Sequence, residues 1–194
     1  MIDLYAWTSA NGRRPIIMLE ETGTPYRITA IDPHGEAKNT PEYRAISPGG
    51  KVPCLVDPDG PGGAPIHLME SSAILMYLGD KTGQFMGADE RGRWDVLQWL
   101  AYLATNVSIS FSALNVTREM EGQCRTLLGE LEKHLGDRDY FAENYSIADM
   151  MAIGRFGDFR FDYIDLNDFP GVCRWRDRAM DRAAVRKATE MAIK

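Results

Sequence analysis

Two short stretches of the sequence carry residue types that could together bind a small charged ligand. The first is a polar loop, rich in glycine and proline, that enters a short apolar strand through Val52-Pro53. Proline donates no backbone hydrogen bond and keeps the residue before it extended, so the main chain of Val52 is predicted to be free for an outside partner. The second stretch passes from strand to helix at Glu70-Ser71, where unpaired N–H groups and the helix dipole favour a carboxylate. An open strand edge, an anion site and the negative charge of Glu70 in one pocket would suit a small zwitterionic peptide.

Each stretch also has a purely structural interpretation. A Val-Pro pair often marks only a turn, and Glu-Ser-Ser before an apolar helix is a common helix cap. The combination is more specific than either part, because the two motifs follow one another across a turn-rich hairpin at residues 57–63.

In this order the motifs resemble the N-terminal domain of the cytosolic glutathione transferases, which carry a cis-Val-Pro before one strand and Glu-Ser before the next helix. The resemblance implies that a cis bond to Pro53 turns the main chain of Val52 into the cleft, where it pairs with the cysteinyl part of glutathione. It also implies that Glu70 and Ser71 hold the γ-glutamyl end. Lys51 either contacts the glycyl carboxylate or is simply a solvated side chain.

The loop at residues 8–12 is where this fold supports the glutathione sulfur. The thiolate is the nucleophile, and a hydrogen-bond donor or a helix N-terminus beside the sulfur lowers the pKa of the thiol. Within the fold, the N-terminal residues and Asn11-Gly12 most resemble the bacterial nu-class transferases, which reduce disulfides and hold the sulfur with a loop threonine and asparagine. The resemblance implies that Asn11 is catalytic together with Ser9 or Thr8, and it leaves open which hydroxyl faces the sulfur. Asn11 could instead cap the helix, or do both.

Two features depart from the nu-class pattern. Cys54 directly follows the proline and is either a buried small residue or a redox-active thiol close to the pocket. The link between the first two helices of the second half is expected to be shorter, which would remove part of the wall over the second substrate.

The resemblance implies a glutathione-dependent transferase or disulfide-bond oxidoreductase that acts on a small electrophile or disulfide. Glutathione would be a co-substrate, no cofactor would be bound permanently, and the protein would be a homodimer. A non-catalytic protein of the same fold, serving ligand binding or interaction, is the alternative.

Composition limits the other possibilities. The 194 residues are 44% hydrophobic and 26% charged, as in ordinary globular proteins, and a net charge of −6 argues against general binding to nucleic acid or acidic membranes. No secretory leader and no apolar run of bilayer length are expected. Three widely spaced cysteines favour a reducing cytoplasm over a disulfide framework. The three histidines lack partners at ligand spacing, so no metal site is expected.

These site residues must be positioned by a thioredoxin-like α/β domain, predicted over residues 1–80. Its order is strand, helix, strand, short helix, two strands and helix, with the first two strands parallel because a helix separates them. The strands are expected at residues 2–7, 26–31, 52–56 and 65–68, and the main helices at 13–23 and 71–79.

Residues 81–87 read as a linker, and residues 88–194 as an all-helical domain. One long helix is expected from residue 91 to about 115 and another over 117–135. Ser146 and Asp149 form a capping box, whose loss should cost about 1 kcal/mol in folding. Arginines and aspartates interleave over residues 174–186, which predicts a solvated, ion-paired helix face.

Overall fold

A four-stranded mixed sheet forms the first half of the chain. The structure is a computed structural model that describes residues 1–114, 117–158 and 164–193. The strands lie in the order β2-β1-β3-β4. As expected, β1 pairs parallel with β2, and β3 and β4 form an antiparallel hairpin. In addition, β1 pairs antiparallel with β3. The strands are β1 (Ile2–Ala6), β2 (Tyr26–Ala30), β3 (Cys54–Asp57) and β4 (Ile66–Met69).

Three helices pack on this sheet: α1 (Ala10–Thr22), α2 (Pro41–Ile46) and α3 (Ser71–Thr82). Alternation along the strands places Leu4 and Leu55 in the large core with α1 and α3. The other face carries a smaller cluster in which Cys54 packs with Tyr43 of α2. The thioredoxin-like order of elements is confirmed.

The second half contains helices and no strand among its described residues. Its helices are α4 (Glu90–Tyr102), α5 (Ser108–Leu114), α6 (Glu121–Leu135), α7 (Ile147–Phe156), α8 (Pro170–Met180) and α9 (Ala183–Glu190). The long helix expected from residue 91 is present, but a π-helical turn, Leu103–Val107, divides it into α4 and α5. Such wider turns are frequent at functional sites. The expected end of that helix at residue 115, and with it most of the shortened link, lies outside the described residues.

Several predicted boundaries shift. The first helix begins at Ala10, three residues earlier than expected, because Ser9 caps it. The strand after Pro53 begins at Cys54, and α3 continues to Thr82, two residues into the expected linker. In the described ranges no helix combines the length and the apolar character needed to cross a membrane.

The capping box at the start of α7 is confirmed. The Ser146 hydroxyl accepts from the first turn, and Asp149 Oδ2 accepts from the Ser146 N–H at 3.0 Å. Asp149 Oδ1 also accepts from the Phe141 N–H at 3.1 Å and from Trp175 Nε1 at 2.8 Å. Burial raises the pKa of this carboxyl to about 6, against the hydrogen bonds, which lower it. Asp149 therefore ties α7 to α8 and to the preceding loop, beyond its role as a cap.

The two halves are joined where α9 packs on α1. Arg182 Nη2 donates to Glu21 Oε2 at 2.7 Å and its guanidinium lies 3.9 Å from the centre of the Tyr145 ring. Lys187 Nζ donates to Glu20 Oε2 at 2.8 Å. The predicted ion pairing is present at Arg182, but its partner is Glu21 on α1 rather than one of the neighbouring aspartates.

Candidate functional site

A cleft of about 520 Å³ opens between the sheet half and the helical half. This volume is in the range of sites for small molecules. The first half contributes the start of α1, the loop before β3 and the junction of β4 with α3, while the second half contributes the π-helical turn and α5. The lining residues are Asn11, Arg14, Ser47, Gly49, Lys51, Val52, Pro53, Met69, Glu70, Ser71, Ser72, Ala104, Thr105, Ser108, Ile109 and Ser112.

The loop before β3 presents an unpaired main chain to this cleft. The Val52-Pro53 bond is cis, as expected. The loop is held from behind through Lys51, whose carbonyl accepts from Tyr43 Oη at 2.7 Å and from Ser47 Oγ at 3.0 Å. No hydrogen bond to the N–H or C=O of Val52 is found within the described part of the chain. An extended ligand can therefore pair with this residue as an added strand.

The start of α3 forms the opposite end of the cleft. Glu70 is exposed and adopts φ 67°, a left-handed conformation that is unusual for a residue with a side chain and is often found at functional sites. Ser71 is buried, and its main chain is the first turn of the helix, where N–H groups lack partners inside the helix. The junction thus offers helix N–H donors beside a carboxylate, which are complementary to an α-amino acid group.

The three residues that were expected to be catalytic, in the loop before α1, lie in different environments. Asn11 is exposed and lines the cleft, whereas Thr8 and Ser9 are not among its lining residues. Ser9 is the N-cap, with its Oγ accepting from the Gly12 N–H at 3.1 Å. The alternative in which Asn11 caps the helix is therefore wrong. Thr8 Oγ1 is bound to the main chain of Ile193, from whose N–H it accepts at 2.8 Å.

Gly12 keeps this loop tight. A Cβ at this position would lie 2.2 Å from the carbonyl oxygen of Trp7, so a side chain cannot be accommodated without moving the end of β1. The close approach brings Asn11 to the mouth of the cleft.

Arg14 is the main site residue that the sequence reasoning missed. It is 2% exposed and donates to four acceptors: Met151 O at 2.9 Å, Asn11 Oδ1 at 2.6 Å, Ser71 Oγ at 3.1 Å and Ser108 Oγ. Burial lowers its pKa to about 9, and the charge of Arg155 acts in the same direction. At neutral pH the guanidinium is therefore still charged. The sequence did contain one indication of this role. Arg14 lies four residues before Met18, which places it on the same apolar, buried face of the first helix.

The residues from α5 and the π-helical turn were also missed, since no spacing in the sequence links them to the first half. Cys54 is fully buried, accepts from Tyr43 Oη at 3.7 Å and is absent from the cleft lining, which agrees with its interpretation as a small packed residue. In the three described ranges, no histidine, cysteine and carboxylate side chains come together as a metal site.

Comparison with known proteins agrees with this geometry. Residues 8–81 match the family model of the glutathione S-transferase N-terminal domain. The chain is 33% identical to the disulfide-bond oxidoreductase YfcG of Escherichia coli, over 97% of this chain and 94% of that protein.

Two solved structures show the same fold. A glutathione transferase of Pseudomonas putida with one glutathione disulfide bound per subunit matches with a TM-score of 0.90 and 30% identity, over 98% of this chain and 91% of that one. A glutathione transferase family member of Pseudomonas fluorescens with two glutathione bound also matches with a TM-score of 0.90. It is 32% identical, and the match covers 97% of this chain and 92% of that one. The sequence motifs, the fold and these similarities together show that the chain belongs to the glutathione S-transferase family.

Proposed function

We propose that the chain is a glutathione-dependent transferase or disulfide-bond oxidoreductase and binds glutathione in this cleft. The observation that carries the proposal is the placement of three features in one cavity: the unpaired main chain of Val52, the helix start at Ser71 and the amide of Asn11. They suit the cysteinyl main chain, the γ-glutamyl end and the sulfur of one tripeptide.

The remaining cleft residues complete this binding mode. Glu70 faces the α-amino group of the γ-glutamyl residue, and Lys51, exposed at the other end, takes the glycyl carboxylate. Pro53 supports the wall on which the cysteinyl part lies. Neither loop hydroxyl belongs to the cleft lining, and of the two Ser9 is favoured at the sulfur. Thr8 Oγ1 donates its proton to the Ile193 carbonyl at 3.3 Å, whereas the Ser9 hydroxyl only accepts within the helix and keeps its proton free.

In the disulfide reaction, the glutathione thiolate attacks one sulfur of the substrate disulfide. A glutathione mixed disulfide forms and the other sulfur leaves as a thiolate. A second glutathione attacks the mixed disulfide, which yields glutathione disulfide and the second substrate thiol. In a transferase reaction, the same thiolate forms a bond to an electrophilic carbon and the leaving group departs.

The relatives favour the disulfide reaction over the transferase reaction, because the E. coli protein is named a disulfide-bond oxidoreductase and the P. putida structure holds glutathione disulfide.

We also infer two domains, residues 1–80 and 88–194 joined by 81–87, and a cytoplasmic homodimer. Exposed apolar side chains at Met76 on α3 and Trp94 on α4 support the dimer. Three free cysteines support a reducing compartment.

The test begins with the melting temperature of the protein with and without glutathione, followed by turnover of hydroxyethyl disulfide and of chlorodinitrobenzene. We expect stabilisation by glutathione, turnover of the disulfide, and loss of turnover in Asn11→Ala. Asn106→Ala, an amide on the π-helical turn that lies outside the cleft, is the matched control. Stabilisation without turnover of either substrate would indicate the non-catalytic alternative. No stabilisation at all would remove the proposed function.

A further inference from the structure

Arg14 is a buried cation whose hydrogen-bond partners are all neutral. Its acceptors are the Met151 carbonyl, the Asn11 amide oxygen and the hydroxyl oxygens of Ser71 and Ser108. Among the residues that the structure describes, no carboxylate forms an ion pair with it. Buried charges are normally paired, so a positive charge left without a counter-ion beside an open cleft indicates that an anionic ligand completes the site.

Each of these bonds also determines what its acceptor can do next. Because the Asn11 oxygen is held by the guanidinium, the amide N–H₂ is directed away from Arg14 and is free to donate. Ser71 and Ser108 use a hydroxyl oxygen to accept from Arg14, which leaves the hydroxyl proton of each free. All three side chains line the cleft.

We propose that Arg14 is a positioning residue that turns Asn11, Ser71 and Ser108 into hydrogen-bond donors towards the anionic groups of bound glutathione, and that Ser108 is therefore a ligand-binding residue contributed by the helical half. This proposal rests on the proposed function. In it, Asn11 faces the thiolate, Ser71 faces the γ-glutamyl carboxylate, and the charge of one guanidinium strengthens every donor.

The shape of arginine is required for this arrangement. One planar guanidinium reaches acceptors on α1, α3, α5 and α7 at once, which a lysine ammonium at the same place cannot do with the same geometry. Gly154 on α7 makes the room, because a Cβ there would lie 2.7 Å from Arg14 Cγ.

Other charged groups around the cleft also contribute to the electrostatic field in it. Arg155 on α7 is behind the wall and donates to Ser112 Oγ at 2.7 Å, one helical turn along α5 from Ser108. Lys51 and Glu70 are exposed at the two ends. The field at the sulfur is therefore positive from the inner side, which favours the thiolate over the thiol.

The decisive measurement is the pKa of the thiol of bound glutathione, read from thiolate absorbance near 240 nm as the pH is varied. In Arg14→Met the thiol pKa should rise by about one unit or more, and Arg14→Lys, which keeps the charge, should lie between this variant and the wild type. Binding of S-methylglutathione, which has the carboxylates and no thiolate, should weaken at least about tenfold in Arg14→Met. Arg13→Met is the matched control, since the Arg13 guanidinium is directed to Asp158 instead.

An unchanged thiol pKa in a folded Arg14→Met protein that binds glutathione would overturn the inference and leave the proposed function standing. If Arg14→Met does not fold, Ser108→Ala is combined with Arg14→Lys. Ser108→Ala should weaken glutathione binding in the wild type and have a smaller effect in the Arg14→Lys background. Equal effects in both backgrounds would show that Ser108 acts independently of Arg14. A wild-type protein that glutathione does not stabilise would instead refute the proposed function.

Discussion

The Asp149 carboxylate should contribute more to the free energy of unfolding than an ordinary capping residue does. Its Oδ2 accepts from the N–H and hydroxyl of Ser146, and its Oδ1 accepts from the Phe141 N–H and from Trp175 Nε1. Asp149→Ala removes the cap, worth about 1 kcal/mol, and leaves two buried donors unpaired, at about 1–3 kcal/mol each. Because removal of a buried charge offsets part of this cost, we expect the lower end of the sum, about 3 kcal/mol.

Urea unfolding followed by tryptophan fluorescence measures this change in the free energy of unfolding. Ser146→Ala is the control for the cap alone and should lose about 1 kcal/mol. Asp149→Asn retains an oxygen for the Phe141 and Trp175 donors but places an amide N–H₂ against the Ser146 N–H, so it should be intermediate. If Asp149→Ala and Ser146→Ala are equally stable, the bonds to Phe141 and Trp175 contribute nothing and the reasoning is refuted.

Three further predictions concern the pH dependence of stability, the loop before α1 and the contact between the two halves. Burial raises the pKa of Asp149 from 3.8 to about 6. Between these two pH values the folded chain keeps a proton on this carboxyl that the unfolded chain has lost. The contribution of Asp149 to the free energy of unfolding therefore falls as the pH rises through this range. The stability advantage of the wild type over Asp149→Asn should therefore be about 2 kcal/mol larger at about pH 4.5 than at about pH 7, and a constant difference in urea unfolding would contradict the raised pKa. Thr8→Ala should retain disulfide turnover, whereas Ser9→Ala should lose turnover and about 1 kcal/mol of stability; the reverse order of activities would assign the sulfur to Thr8. Arg182→Met should lose about 1–2 kcal/mol through its ion pair and ring contact, and the exposed pair of Arg178 with Asp139 gives a control, Arg178→Met, with a loss below about 0.5 kcal/mol.

Local chemistry made part of the site predictable. The helix start at Ser71 and the capping box at Ser146 each depend on residues within a few positions, whereas the cis Val52-Pro53 bond was implied by the family resemblance; all three are present. The error at the first helix has a local cause as well. Thr8, Ser9 and Asn11 are all good capping residues, and choosing among them required the position of Gly12 against Trp7.

Other parts of the site depend on residues that meet only in three dimensions. Thr8 is bound by Ile193, 185 positions away, so its hydroxyl had no visible partner in the sequence. The same holds for the cleft wall from α5, because hydrophobic periodicity predicts a buried face but does not indicate what that face meets.

The sequence by itself determined the order of elements and the helical second half, since these follow from short-range patterns and turn chemistry, and its motifs identified the family by resemblance. Only the tertiary structure decided which loop hydroxyl keeps a free proton, which donors outside the helix cap bind Asp149, and which acceptors Arg14 holds. The physical reason is that a buried polar group is defined by its partners, and the partners of Arg14 are contributed by four helices and extend as far as Met151, 137 positions along the chain.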